Sequence, residues 1–246
     1  MNTAQPAITI TGLTKRYGDL TAVDHLSLNV QQGECFSLLG VNGAGKTTTI
    51  KMLCGLTRPD EGDALLCGHS IRSDIKGVHE VIGVSPQETA VAPKLTVREN
   101  LEMIAGIYGC ARACVPEMIA DLGLEEYADK RAATLSGGWQ RRLSIAMAMI
   151  TKPQVLFLDE PAQGLDVIAQ RLLWDFISGL KGKTTLILTT HDMKEAAALS
   201  DRVGILVAGH LYAEGTVNEI CAQTGCDNLE DAFVRIATAA QGGKTK

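Results

Sequence analysis

Several features that would mark other classes of protein are missing from this sequence. It has no basic stripe: 23 Lys and Arg stand against 28 Asp and Glu in 246 residues, a formal net charge of -5. Phosphate backbones reward dense positive charge, so the chain is not built as a general nucleic-acid binder. Apolar runs stay well short of the roughly 18–20 residues that cross a bilayer. The longest, Leu143 to Ile150, reads as part of a helix. No direct membrane span is expected, and work at a membrane would need a span from another chain. The start, Met1-Asn2-Thr3-Ala4-Gln5-Pro6, has neither the basic residues nor the apolar stretch of a secretory signal. Seven cysteines, at Cys35, Cys54, Cys67, Cys110, Cys114, Cys221 and Cys226, are loosely spaced and have no paired histidines beside them. They read as reduced thiols rather than metal ligands. No internal repeat or low-complexity segment is visible.

What remains is an ordinary globular composition, long enough for a sizeable core. Ala7-Ile8-Thr9-Ile10-Thr11 and Leu26-Ser27-Leu28-Asn29-Val30 alternate as strands, with Thr14 to Asp19 read as a polar turn between them. Two or three short antiparallel strands thus precede the apolar strand Cys35-Phe36-Ser37-Leu38-Leu39. A helix runs from about Gly45 to Gly55, Arg58 to Gly62 turns, Leu65 to Gly68 forms a strand, and Pro86 stops the buried strand Val81 to Val84. From Gln87 to Ile150 the pattern turns helical. Thr96 and Glu99 have capping-box spacing, Pro116 sits in the first turn of a second helix, and Ser136-Gly137-Gly138 opens a third. Strands at Val155 to Leu158 and Leu186 to Leu188 follow, separated by a helix from Val167 to Leu180 whose face is marked by Leu172, Leu173, Phe176 and Ile177. A short helix through Ala198, a hairpin around Gly209-His210 and a one-sided helix bearing Leu229, Phe233 and Ile236 complete the chain.

Chemistry concentrates at Gly40-Val41-Asn42-Gly43-Ala44-Gly45-Lys46-Thr47-Thr48, between a strand and a helix. That context turns a GxxxxGK[ST] match into a phosphate cradle. Glycines let backbone N–H groups turn toward an anion, the helix adds its positive end, Lys46 reaches terminal phosphates and Thr47 offers a hydroxyl to magnesium. Asp159 ends an apolar strand, where an acidic residue meets the magnesium shell, and Glu160 follows where a carboxylate can polarise water. Leu135-Ser136-Gly137-Gly138-Trp139-Gln140 is a second glycine loop before a helix. One nucleotide does not need two such loops from one chain, which implies a second copy.

Taken together, these motifs make the chain resemble the ATP-binding subunit of ABC transporters over nearly its whole length. Gly40 to Thr47 matches the family's Walker A loop, Val155 to Glu160 its Walker B strand with the catalytic glutamate, and Leu135 to Gln140 its signature loop. Gln87 is similar to the Q-loop glutamine, Gly164-Leu165-Asp166 to the D-loop, His191 to the switch histidine and Tyr17 to the aromatic that stacks on adenine. Trp139 departs from the signature pattern and Ala162 stands where a small hydroxyl residue is common. Segments from Ile82 to Glu88, Leu95 to Leu101 and Thr190 to Ala196 look most like the export-type, ABC-2-like branch.

The resemblance implies an α/β fold: a phosphate-loop (RecA-like) core with an antiparallel β-subdomain, residues 1–86 and 151–220, an inserted α-helical subdomain, 87–150, and a C-terminal helical tail, 221–246. It implies ATP and Mg2+, with Tyr17, residues 40 and 42–48, Ser136, Gly137, Gly138 and Asp166 on the nucleotide. Thr47, Gln87 and Asp159 would hold the metal, and Glu160, His191 and Gln87 would carry catalysis. Two such subunits, most simply a homodimer, would sandwich two ATP molecules and power transmembrane permease subunits from the cytoplasmic face of the cell membrane, with no nucleic acid involved. A soluble ABC ATPase acting on ribosomes or DNA, or an assembly switch that binds ATP without hydrolysing it, are the alternatives. The first usually carries two cassettes or a very long insertion, and the second has no use for both Glu160 and His191.

Overall fold

The computed structural model describes residues 5–111 and 113–242. In chain order the elements are β1 Ile8–Tyr17, β2 Leu20–Val30, β3 Cys35–Leu39, α1 Lys46–Leu53, β4 Glu61–Leu66, β5 His69–Ser70, α2 Ile75–Val81 and β6 Ile82–Ser85. There follow α3 Val97–Tyr108, α4 Cys114–Asp121, short 3-10 turns at Glu125–Tyr127 and Ala132–Thr134, and α5 Gly137–Met149. The last part holds β7 Val155–Asp159, α6 Val167–Ser178, β8 Thr185–Thr190, α7 Met193–Leu199, β9 Arg202–Val207, β10 His210–Gly215, α8 Val217–Thr224 and α9 Leu229–Gly242.

Two sheets divide the strands. One is antiparallel, in the order β2-β1-β4-β5. The other runs β10-β9-β3-β8-β7-β6, parallel from β9 to β6 with β10 antiparallel at its edge. Strands β3, β7 and β8 are buried at every position, which is why they read as continuous apolar runs rather than alternating ones. Phe36, Leu38 and Phe157 pack on one face against Ile8, Ile10 and Leu28 of the antiparallel sheet. Leu156, Leu158 and Leu188 pack on the other face against Leu173 and Ile177 of α6. Because β3, β6, β7 and β8 run the same way, the segments after them emerge together along one edge of the sheet. These segments are Gly40 onward, Pro86-Gln87, Glu160 and His191, and such a carboxyl edge is where open α/β sheets bind ligands.

The helices from α3 to α5 enclose an apolar cluster of their own, including Val97, Leu101, Met118, Leu124 and Leu143. Its first helix starts at the expected capping box, Thr96 accepting from the Glu99 N–H while the Glu99 carboxylate accepts from the Thr96 N–H. α5 belongs to both layers: Leu143, Ala146 and Met147 face the helical cluster, while Ile145 joins the cluster against the sheet. The tail helix α9 packs through Leu229 and Phe233 against Leu39, Val203 and Ile205, as its one-sided pattern requires.

Several expected local details are corrected. Thr14 to Tyr17 are strand rather than turn, because β1 and β2 pair as far as Tyr17 and Leu20 and leave two residues, Gly18 and Asp19, to reverse the chain. Glu61 and Gly62 already belong to β4, and Leu172 is 49% exposed rather than part of the buried face of α6. Two short helices, α2 and α8, carry no long periodic signal and were not expected; α8 crosses residue 220.

Candidate nucleotide site

The loop after β3 is shaped by close packing at two glycines. A Cβ on Gly40 would lie 2.5 Å from the Leu206 carbonyl oxygen, and one on Gly45 would lie 2.3 Å from the Ala22 carbonyl oxygen. Gly45 also holds φ at 106°, which L side chains rarely adopt. These two positions let the loop pass between β2 and β9 and deliver Lys46 at the first turn of α1. The cradle therefore exists because side chains are absent where the backbone must come close, as a phosphate-binding loop needs.

Lys46 lies inside this loop, 5% exposed, and its Nζ donates to the Gly40 carbonyl at 2.6 Å. The same Nζ is 3.1 Å from Glu160 Oε1. His191 Nδ1 is 2.6 Å from Glu160 Oε2, so the two oxygens of one carboxylate face two different cationic or donor groups. Glu160 reaches this point because the chain turns sharply there, with φ at 48°, letting it and the preceding Asp159 address the same cleft. Thr189 holds the turn: its hydroxyl donates to Asp159 Oδ1, and it accepts the Glu160 N–H at 3.1 Å. Thr47 Oγ1 is 3.4 Å from Asp159 Oδ1. A hydroxyl and a carboxylate oxygen so placed are hard donors of the type magnesium selects, and the donor set fits that ion.

Gln87 follows β6 on the same edge, and its Nε2 donates to Gln163 Oε1 at 2.6 Å. The structure thus joins Gly40, Lys46, Thr47, Asp159, Glu160 and His191 in one chain of contacts, with the exposed Gln87 further along the same edge. The other predicted residues have different immediate partners. Tyr17 stands 48% exposed at the tip of the β1–β2 hairpin, with the Lys15 ammonium 5.4 Å from its ring centroid. Asp166 caps α6, accepting from the N–H groups of Ile168 and Ala169. Ser136 is exposed and its side chain makes no capping bond. The atoms nearest a Cβ on Gly137 and Gly138 belong to Leu165 and Ala169, not to residues 40–48.

Thr189, Gln163 and Arg141 were not singled out from sequence. Their roles depend on partners many residues away, and no local pattern marks them. Burial pushes the thiols of Cys35 and Cys54 up to about 12, so neither supplies a thiolate near neutral pH. Among the described residues no cluster of three or more His, Cys, Asp or Glu side chains is placed to hold a metal ion by itself.

A glycine cradle at the carboxyl edge of a parallel sheet, closed by a lysine and two strand-end carboxylates, defines a phosphate-loop nucleotide-binding protein. The ABC transporter family profile matches residues 23–163. Nod factor export ATP-binding protein I of Burkholderia pseudomallei (strain 1710b) is 46% identical over 223 residues, 88% of this chain and 73% of the relative. Daunorubicin resistance ATP-binding protein DrrA3 of Streptomyces coeruleorubidus is 40% identical over 232 residues, 92% and 72% of the two chains. A solved ATP-binding subunit of an ABC transporter superposes with a TM-score of 0.82 at 27% identity, covering 94% of this chain and 99% of that one. The cbiO1 protein from Clostridium perfringens, part of the ABC transporter complex cbiONQ, gives 0.80 at 26% identity over 89% and 91%. The chain belongs to the ABC transporter family, as one of its ATP-binding and ATP-hydrolysing subunits.

Proposed function

We propose that two copies of this chain close head to tail around two ATP molecules, and that each site takes residues 40–48 and Tyr17 from one copy and Ser136 to Gly138 with Asp166 from the other. The observation that carries hydrolysis is the Glu160 carboxylate fixed between Lys46 and His191 beside the phosphate loop. A carboxylate in that position can accept a proton from an attacking water, and the histidine can hold the terminal phosphate. Thr47, Asp159 and Gln87 would hold magnesium, whose chemistry is to offset charge on the phosphate oxygens. The two-copy site is supported by the exposed Ser136 and by the neighbours of Gly137 and Gly138, which are Leu165 and Ala169 rather than residues 40–48 of the same chain. The chain has no helix among its described residues that is long and apolar enough to span a bilayer. Closure and reopening would therefore drive a separate permease from the cytoplasmic side of the membrane.

In this proposal residues 1–86 and 151–220 form the nucleotide core with its β-subdomain, 87–150 the helical subdomain, and the following residues a tail. The cargo is selected by the permease, and export follows the direction borne by the names of the relatives. Phosphate release by the purified full chain, measured across protein concentration, tests the two-copy site. The rate per chain should rise with concentration; a constant rate per chain overturns it. Recovery of a membrane-spanning subunit with the tagged chain from its own cells tests the permease.

A further inference from the structure

Helix α5 is fastened along β6 by three successive contacts. Gly83 lies so close to the helix that a Cβ there would be 2.2 Å from the Ala148 carbonyl oxygen. Two residues further along the strand and one helical turn back, Ser85 Oγ is 3.0 Å from Ser144 Oγ, with both side chains buried. Beyond the strand, Arg141 sends one guanidinium nitrogen to the Pro86 carbonyl at 2.6 Å and another to the Gln87 carbonyl at 2.5 Å. Arg141 is only 5% exposed, so this cation has given up its water and spends two donors on adjacent peptide groups. A guanidinium suits such a task because its planar fork spans two acceptors, which an ammonium cannot do with one fixed geometry. Burial lowers the Arg141 pKa, yet arginine starts so high that the group keeps its charge.

The same helix begins at Ser136 and Gly137. Arg141 is five positions on from Ser136, which at 1.5 Å per residue is about 7.5 Å along the helix. The backbone that carries Gln87 and the loop that carries Ser136 are thus attached to one short rigid segment, at its two ends.

We infer that Arg141 is a positioning residue that locks the Gln87 segment to the Ser136–Gly138 loop, so that the two move as a unit when the site closes. This rests on the roles proposed above for Gln87 and Ser136. Both hydrogen bonds from Arg141 go to backbone carbonyls, and it is not among the residues assigned above to nucleotide or metal. Its loss should leave ATP binding to a single chain intact, since residues 40–48 and Tyr17 stay in place. It should slow the hydrolytic step, which needs both loops aligned.

The test uses full-length Arg141→Met, with Arg141→Lys as the variant that keeps the charge but not the fork and serves if the first does not fold. Melting temperature and ATP affinity by calorimetry establish the fold; steady-state phosphate release gives kcat and KM. Expected are ATP affinity within twofold of wild type, kcat reduced at least tenfold in Arg141→Met, and an intermediate loss in Arg141→Lys. Because Arg141 acts through Gln87, the Gln87→Ala/Arg141→Met double variant should be no more than twofold slower than Gln87→Ala alone. A folded Arg141→Met with wild-type kcat, or a double variant whose losses multiply, overturns the inference while Gln87→Ala and Ser136→Ala remain slow. Wild-type rates in Gln87→Ala and Ser136→Ala would overturn the proposed loop roles and this inference with them.

Discussion

Lys46 and Glu160 form a buried ion pair, Nζ to Oε1 at 3.1 Å with side chains 5% and 6% exposed, and the opposite oxygen of Glu160 is engaged by His191. A terminal phosphate entering the loop carries its own negative charge to Lys46, and it competes with Glu160 for that ammonium. Replacing Glu160 by Gln removes the competitor and the proton acceptor while keeping the side chain's shape. ATP affinity should be equal or higher. Hydrolysis should fall by at least about a hundredfold, the usual order for a lost general base. The ATP-bound two-copy complex should then accumulate and elute as a dimer in size-exclusion chromatography with ATP present. Steady-state turnover at the wild-type rate would remove Glu160 from the role proposed.

The same ion pair sets the outcome of changing Lys46. In Lys46→Ala the loop loses its only lysine, and ATP affinity by calorimetry should drop at least about tenfold, the equivalent of 1.4 kcal/mol. Stability should drop as well, because Glu160 keeps its charge in a buried place with one partner gone. Breaking a buried pair on one side costs about 3–5 kcal/mol, and the remaining His191 contact should hold the loss toward the lower figure. Adding Glu160→Gln should recover part of the melting temperature while leaving ATP affinity low. A double variant as unstable as Lys46→Ala would show that the loss comes from packing, not from the stranded charge.

Residues 40–48, Asp159 and Glu160 were legible in the sequence because their chemistry is local: a strand, a glycine loop and a helix in one case, an apolar strand ending in two acids in the other. The Thr96 capping box was legible for the same reason. Thr189, Gln163 and Arg141 were not, since each acts on a residue 30 or more positions away and nothing in its neighbours marks it. Thr14 to Tyr17 read as a turn because they lack apolar alternation; pairing with β2 and β4 holds them in the sheet. α2 and α8, at seven and eight residues, are shorter than two or three turns of apolar repeat can reveal.

Glu195 on α7 supplies a pH dependence. It is 2% exposed, accepts a hydrogen bond from Trp174 Nε1 at 3.2 Å, and burial pushes its carboxyl up to about 7. The ordinary value for glutamate is 4.5, so between these two limits the folded chain binds a proton that the unfolded chain releases. Stability from this group therefore falls as pH rises from 4.5 to 7, and above 7 the cost of the buried charge is complete. That cost is on the order of 3 kcal/mol. Glu195→Gln keeps the acceptor for Trp174 and cannot ionise. At pH 8 it should be more stable than wild type in urea titration, and the difference should shrink toward pH 5. An equal difference at both pH values would mean that Glu195 does not titrate in this range.

Trp139 offers a direct view of the second glycine loop. Its ring centroid lies 4.1 Å from that of Tyr127 and the Arg142 guanidinium sits 4.7 Å from it, so the first turn of α5 is pinned to the helical subdomain beside Ser136. Trp174 is the other tryptophan and is buried between α6 and α7. If a second copy's phosphates settle on Ser136 to Gly138, the charge arrives next to Trp139 and leaves Trp174 in its buried place against Glu195. Adding ATP and magnesium to Glu160→Gln should therefore change tryptophan emission, and the change should grow with protein concentration as copies pair. Introducing Trp139→Phe in that background should abolish the change, and Trp174→Phe should leave it. A signal that survives Trp139→Phe, or that saturates with ATP irrespective of protein concentration, would place the emission change within a single chain and argue against the facing loop.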